Sequence, residues 1–129
     1  MKTIFTIIFC LIAVMAQAQV WYPANQKTVA WNAVTVPSGT VSYKVYSKPE
    51  SGGAATLLTT VATNQATVSF STEGRFYIGV GTIRTIDNID IPAATISWSD
   101  VAAVCQNGAT FGVQYYIAPS AAIGLRIVE

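Results

Sequence analysis

From Lys27 onward, apolar residues recur at every second position in short runs. Five segments show the pattern: Val29-Trp31-Ala33, Val41-Tyr43-Val45, Leu57-Thr59-Val61, Ala66-Val68-Phe70 and Phe76-Ile78-Val80. A period of two is typical of β-strands that bury one face, and valine, threonine and tyrosine fit such strands well. The alternation predicts an all-β chain.

Turn residues separate these segments at short intervals. Breakers occur at residues 36–39, 48–53, 63–65 and 71–74. A polar stretch at 85–90 is interpreted as a loop before a sixth strand over 93–99, and residues 111–117 have the pattern of a further edge strand. About seven short antiparallel strands in one small domain predict a β-sandwich.

The first 18 residues follow the rules of export rather than of folding. Lys2 precedes an apolar run over residues 4–16, and Ala16-Gln17-Ala18 supplies small residues for cleavage. This pattern predicts a signal peptide helix over residues 1–18, and hence a periplasmic, extracellular or cell-surface protein. The run is shorter than the ~20 residues of a membrane-spanning helix. Retention as an anchor stays open as the alternative.

The remaining chain is predicted to hold one sandwich over residues 19–100 and a C-terminal extension over 101–129 with one or two extra strands. The full sequence has seven basic and six acidic residues, and Lys2 belongs to the signal peptide. This balance, without a basic cluster, argues against nucleic-acid binding and against membrane binding after cleavage. Cys105 is the only cysteine beyond the signal peptide, so it is either buried or available to another chain.

The residue types that carry most chemistry are scarce. The chain has no histidine, which removes the commonest general base and metal ligand, and one cysteine cannot form a thiolate zinc site. Asp87, Asn88 and Asp90 could offer oxygen ligands to calcium, but a solvated polar turn is the favoured interpretation. We therefore expect no cofactor and no enzyme. A carboxylate-based carbohydrate-active enzyme is the least favoured function.

Three motifs and a closing segment resemble the fibronectin type III family, in the form found in bacterial and phage-encoded exported proteins. They are Val29-Ala30-Trp31, Val41-Ser42-Tyr43-Lys44-Val45-Tyr46, Phe76-Tyr77-Ile78-Gly79-Val80 and residues 94–100. The likeness covers residues 25–100. It implies a seven-stranded immunoglobulin-like sandwich used for adhesion, spacing or display, usually without catalysis.

The chain departs from that family at two places. Phe76 stands where the family usually has a tyrosine that pins a corner. The opening strand is also short, residues 19–23, and a closer match to it lies at residues 118–128. That segment is either the start of a following module, a strand that folds back beside the second strand, or one that does so in a neighbouring copy. Strand exchange through Ile123, Leu125 and Ile127 would produce a homo-oligomer.

Two aromatic pairs lie outside the repeat of strands. They are Trp21 with Tyr22 and Tyr115 with Tyr116. Exposed aromatic pairs can anchor a protein or stack on a surface polysaccharide, and they can equally cover the ends of a sandwich. The favoured function is thus a non-catalytic exported binding or structural module that uses these residues and the 85–90 loop. The alternative is a self-assembling subunit of a surface or virion structure.

Overall fold

The structure is a computed structural model that describes residues 19–128, so the predicted signal peptide lies outside the described residues. Nine strands occur in this range. They are β1 (Val20–Pro23), β2 (Gln26–Ala30), β3 (Thr40–Pro49), β4 (Thr56–Val61), β5 (Gln65–Ser69), β6 (Gly74–Ile86), β7 (Ile89–Pro92), β8 (Ser97–Trp98) and β9 (Phe111–Tyr115). Two single-turn 3₁₀ helices span Ala102–Val104 and Gln106–Gly108. None of the helices described between residues 19 and 128 is long and apolar enough to cross a membrane.

The strands form two sheets that pack face to face, which confirms the predicted all-β sandwich. The large sheet has seven strands in the order β1-β9-β6-β3-β4, with β7 and β8 also paired to β6. The small sheet contains β2 and β5. Every pairing is antiparallel except that of β1 with β9, which is parallel.

The core lies between the two sheets and draws on the residues that alternate in the sequence. Val45 of β3 and Val113 of β9 are completely buried in the large sheet, and Val68 of β5 faces them from the small sheet. Phe70 stacks on Phe76 with ring centroids 5.0 Å apart. Period-two alternation put these side chains on one face, and the second sheet then removed that face from water.

Strand β6 is much longer than its sequence pattern predicts. It runs for 13 residues, and its one edge pairs in succession with β7, β8 and β9. The prediction of a loop over residues 85–90 is wrong. Residues 85 and 86 are the end of β6, residues 89 and 90 are the start of β7, and only two residues connect the strands. The strand predicted over 93–99 is reduced to Ser97–Trp98.

The C-terminal extension contributes to the sandwich itself. The strand predicted over 111–117 is present as β9 over Phe111–Tyr115, but the prediction that it is an edge strand is wrong, because β9 lies inside the large sheet between β1 and β6. Because Val113 is wholly buried, the domain includes residues up to 115. Residues 116–128 follow without helix or strand.

Strand β1 pairs with β9 rather than with β2. Its register places Val20 beside Phe111 and Tyr22 beside Val113. Within the described chain, β2 therefore has one strand neighbour, β5, and its other edge is unpaired.

Candidate functional site

The predicted polar site at Asp87, Asn88 and Asp90 is a tight hairpin turn. Asp87 and Asn88 have φ values of 51° and 62°, and two positive φ values between paired strands define a type I′ turn. Asp90 accepts a hydrogen bond from the Thr85 hydroxyl at 2.7 Å. Between residues 19 and 128, no group of three or more histidine, cysteine or acidic residues could hold a metal ion. Asp87 and Asn88 thus form the turn that joins β6 to β7, and Asp90 is hydrogen-bonded within the same hairpin.

The aromatic pair Trp21 and Tyr22 is divided between the two faces of the large sheet, because successive strand residues point in opposite directions. Trp21 lies on the outer face, where its ring is 5.3 Å from that of Tyr77 and 5.0 Å from the Arg75 guanidinium. It also covers Gly112, where an added Cβ would collide with the indole. Trp21 is thus part of the outer packing of the sheet.

Trp98 lies on the same outer face of the large sheet as Trp21. The sequence motifs predicted that Trp98 belongs to a strand but assigned it no contact. Trp98 covers Gly79, and a Cβ there would lie 2.6 Å from its ring. Lys48 lies 4.4 Å from the Trp98 centroid and 3.4 Å from the Asp100 carboxylate. These rings are half-buried, and cations already lie against them. An aromatic ring that covers a glycine stabilises neighbouring strands. Packing of this kind accounts for the positions of Trp21 and Trp98 on the outer face.

Tyr115 and Tyr116 are likewise separated. Tyr115 is half-buried against the core, whereas Tyr116 is exposed at the end of β9. The next residue, Ile117, donates its backbone N–H to Glu73 at 2.7 Å. The predicted aromatic pairs therefore do not form paired platforms, and one member of each faces inward.

The inward-facing aromatic residue Tyr22 lies at an uncovered part of the sandwich. Val20 and Tyr22 share the face of the large sheet that carries the buried Val113, yet they are 46% and 40% exposed. The Lys27 ammonium of β2 lies 4.9 Å above the Tyr22 ring, so a side chain of β2 reaches this strip. Since the described small sheet ends at β2, Val20, Tyr22 and the half-buried Phe111 extend beyond its cover.

The free edge of β2 carries unpaired backbone groups beside these residues. Hydrogen bonds from Trp31 N–H to the Asn64 carbonyl, at 3.0 Å, and from Phe70 N–H to the Asn25 carbonyl, at 2.8 Å, set the phase of the β2–β5 ladder. In an antiparallel ladder, alternate residues face the partner strand. The N–H and C=O groups of Gln26, Thr28 and Ala30 therefore point to the free edge. We call this edge, together with Val20, Tyr22 and Phe111, the open side of the sandwich.

The predicted strand-exchange residues lie in the extended part of the chain after Ile117. Ile123, Leu125 and Ile127 are 93%, 91% and 91% exposed. Residues 118–128, the C-terminal segment, form no strand. The prediction that this segment pairs beside β2 within its own chain is therefore not realised in this structure, and its apolar side chains are left in water.

No family model, curated protein or solved structure matches the chain. The fibronectin type III resemblance thus remains a prediction that rests on the sequence motifs.

Cys105 lies in the segment between β8 and β9, where its thiol is 3.4 Å from the carbonyl oxygen of Ser99. Burial raises the pKa of the thiol, and the negative charge of Asp100 raises it further. Only the thiolate reacts with alkylating reagents. The folded protein is therefore expected to react slowly with iodoacetamide at a pH where the unfolded chain reacts readily.

Removing the Asp100 charge provides the test of this cause. Asp100→Asn is expected to lower the pKa of Cys105 and to shift the alkylation rate–pH curve toward lower pH. Glu50→Gln, which also removes one carboxylate, is the control and should leave that curve in place. Identical curves for Asp100→Asn and the parent protein would contradict the assignment.

Proposed function

We propose that the protein is a non-catalytic, exported binding and structural module of the fibronectin type III kind, which contacts other proteins at the open side of its sandwich. One observation carries the proposal. An unpaired strand edge and an uncovered strip of core-facing apolar residues lie next to each other, at Gln26–Ala30 and at Val20 and Tyr22. A strand added beside β2 would form hydrogen bonds with the unpaired backbone groups, and its side chains would cover the apolar strip.

The chemistry of the open side favours a protein over a polysaccharide. Free N–H and C=O groups repeat along β2 with the spacing of a strand, and another polypeptide strand carries the complementary repeat. Apolar side chains at alternate positions of that strand would reach Val20 and Tyr22. A polysaccharide has neither a strand-spaced amide repeat nor an apolar face of this kind.

The contacts of the carboxylates support a non-catalytic role. Asp100 pairs with Lys48, at 3.4 Å, and Glu50 lies 3.8 Å from Arg75. Glu73 and Asp90 accept single hydrogen bonds that hold the chain near the ends of β9 and β7. Each of these acidic residues thus has a separate local contact rather than a place in a shared site.

A photoreactive amino acid at position 20 tests the proposal in a cell that exports the protein. Irradiation is expected to yield a discrete protein adduct, because Val20 lies under the position of the added strand. Leu57 on β4 is 49% exposed, close to the exposure of Val20, and is the matched control site. It should give no such adduct.

A substitution on β2 links the adduct to strand pairing. Thr28→Pro removes one N–H from the free edge and leaves the backbone hydrogen bonds between β2 and β5 in place, so it should abolish the adduct at position 20. It also removes the hydrogen bond between the Thr28 and Thr67 hydroxyls, at 2.8 Å, and Thr28→Val removes that bond equally. Thr28→Val keeps the backbone donor and should retain the adduct. Thermal unfolding verifies that both variants are folded. Equal adduct yields in the two variants would rule out pairing at this edge.

A further inference from the structure

We infer that the strand accepted by the open side is residues 118–128 of a second copy of this chain. This inference rests on the proposed function and specifies its partner. It links two features that the structure leaves incomplete: an unpaired edge on β2 and an extended segment with exposed apolar side chains. The segment would give the β2 edge a strand partner, and the open side would cover the segment's apolar side chains.

The C-terminal segment has the side-chain pattern of an edge strand. Ile123, Leu125 and Ile127 occupy alternate positions, so all three project to one side when the segment is extended. The intervening positions hold Gly124 and Arg126, which suit a solvent-facing side. Such a strand has one face for the uncovered core residues and one face for water.

The lengths of the two partners also match. The free edge extends over Gln26–Ala30, five residues, and the alternating apolar positions extend from Ile123 to Ile127. Paired strands have the same rise per residue, so the apolar set spans the edge from end to end. The side chains on the inner face would then lie over Val20, Tyr22 and Phe111.

The path of the chain after β9 favours donation to another copy. Strand β9 has β1 on one side and β6 on the other. Beyond Tyr115 the chain is held by the hydrogen bond from Ile117 to Glu73, the residue that precedes β6. The segment therefore leaves toward the β6 side of β9, whereas its own open side lies toward β1.

Strand donation between copies joins two different surfaces, the C-terminal segment of one copy and the open side of the other. Each copy donates its C-terminal segment to one neighbour and accepts a segment at β2 from another. Such a head-to-tail contact extends into a chain of copies unless its rotation closes a ring. The expected product is a structural assembly whose size grows with protein concentration.

The test uses the full mature chain with two blocking substitutions. Leu125→Asp puts a charge on the inner face of the donated strand, and Thr28→Pro blocks the accepting edge. Sedimentation velocity should show concentration-dependent association of the parent protein. Each blocked variant should bind its own kind at least about tenfold more weakly. Ala122→Asp adds the same charge on the opposite side of the segment and should associate like the parent.

Mixing the two blocked variants provides the decisive measurement. Thr28→Pro keeps a working donor and Leu125→Asp keeps a working acceptor, so an equimolar mixture should form one-to-one dimers that neither variant forms alone. A mixture that stays monomeric overturns the inference. Equal loss of association in Ala122→Asp and Leu125→Asp also overturns it, because the inner face would not matter.

Failure of this inference can be told apart from failure of the proposed function. A monomeric parent protein overturns self-donation, whether hydrogen exchange finds the amides of Gln26, Thr28 and Ala30 open or protected by the chain's own segment. If position 20 then still crosslinks to a different protein, the open side is a protein-binding site with another occupant. If position 20 gives no adduct either, both proposals are rejected.

Discussion

Replacing Phe70 with alanine is expected to lower the free energy of unfolding by about 3–5 kcal/mol. Phe70 is 9% exposed and follows β5, and its ring stacks on Phe76 of β6 with centroids 5.0 Å apart. This contact joins the small sheet to the large one. A small domain has roughly 5–15 kcal/mol of stability in total, so the variant should unfold at a much lower urea concentration.

Two controls separate this contact from a general loss of apolar volume. Phe70→Leu keeps most of the buried surface and should cost clearly less than Phe70→Ala. Leu57→Ala removes an apolar side chain from β4 at a site that is half exposed, and its effect should be within about 1 kcal/mol. Comparable losses for Phe70→Ala and Leu57→Ala would show that the two-stranded sheet contributes little to the core.

Replacing Gly39 with alanine should cost about 2–4 kcal/mol of stability. Gly39 has a φ of +83°, which strains any residue with a Cβ, and an added Cβ would collide with the backbone carbonyl of Thr85. The turn before β3 must therefore move away from the end of β6. Urea denaturation of the variant measures the loss.

Gly52→Ala is the matched control for this second prediction. Gly52 has a φ of +97°, but no atom lies within 4 Å of an added Cβ. It should therefore cost only the backbone strain, about 1–2 kcal/mol. The difference between the two variants reports the contact between residue 39 and β6. Equal costs would show that this contact does not hold the turn in place.

The strands with the clearest alternation were predictable from the sequence, and the β6–β7 hairpin was not. In β3 and β5 the buried positions Val45 and Val68 follow directly from the period of two. In β6 the apolar alternation ends at Val80, although the strand continues to Ile86, and the sequence alone does not connect the outer-face residue Gly79 with Trp98. The ring of Trp98 covers that glycine, so a position without its own side chain still belongs to a continuous strand.

The sequence indicated the segments that form the candidate site, but it did not indicate how they lie relative to one another. The sequence identified a short opening strand, an apolar C-terminal segment and the possibility that the segment fills an edge beside the second strand. The polar residues Asp87 and Asn88 were also predicted as a contact position, and in the structure two positive φ values give them the geometry of a tight hairpin turn. The open side, on which the proposed function rests, is visible only in the structure.

The sequence by itself determined which residues could share a face, because side-chain alternation is a local property of an extended chain. It thus determined the all-β class and the apolar pattern of Ile123, Leu125 and Ile127. Only the tertiary structure decided that β1 pairs with β9, about 90 residues away in the chain. Distant segments compete to pair with the same strand edges, and the alternation of side chains does not specify which of them will pair. That one pairing leaves β2 with a free edge and exposes Val20 and Tyr22.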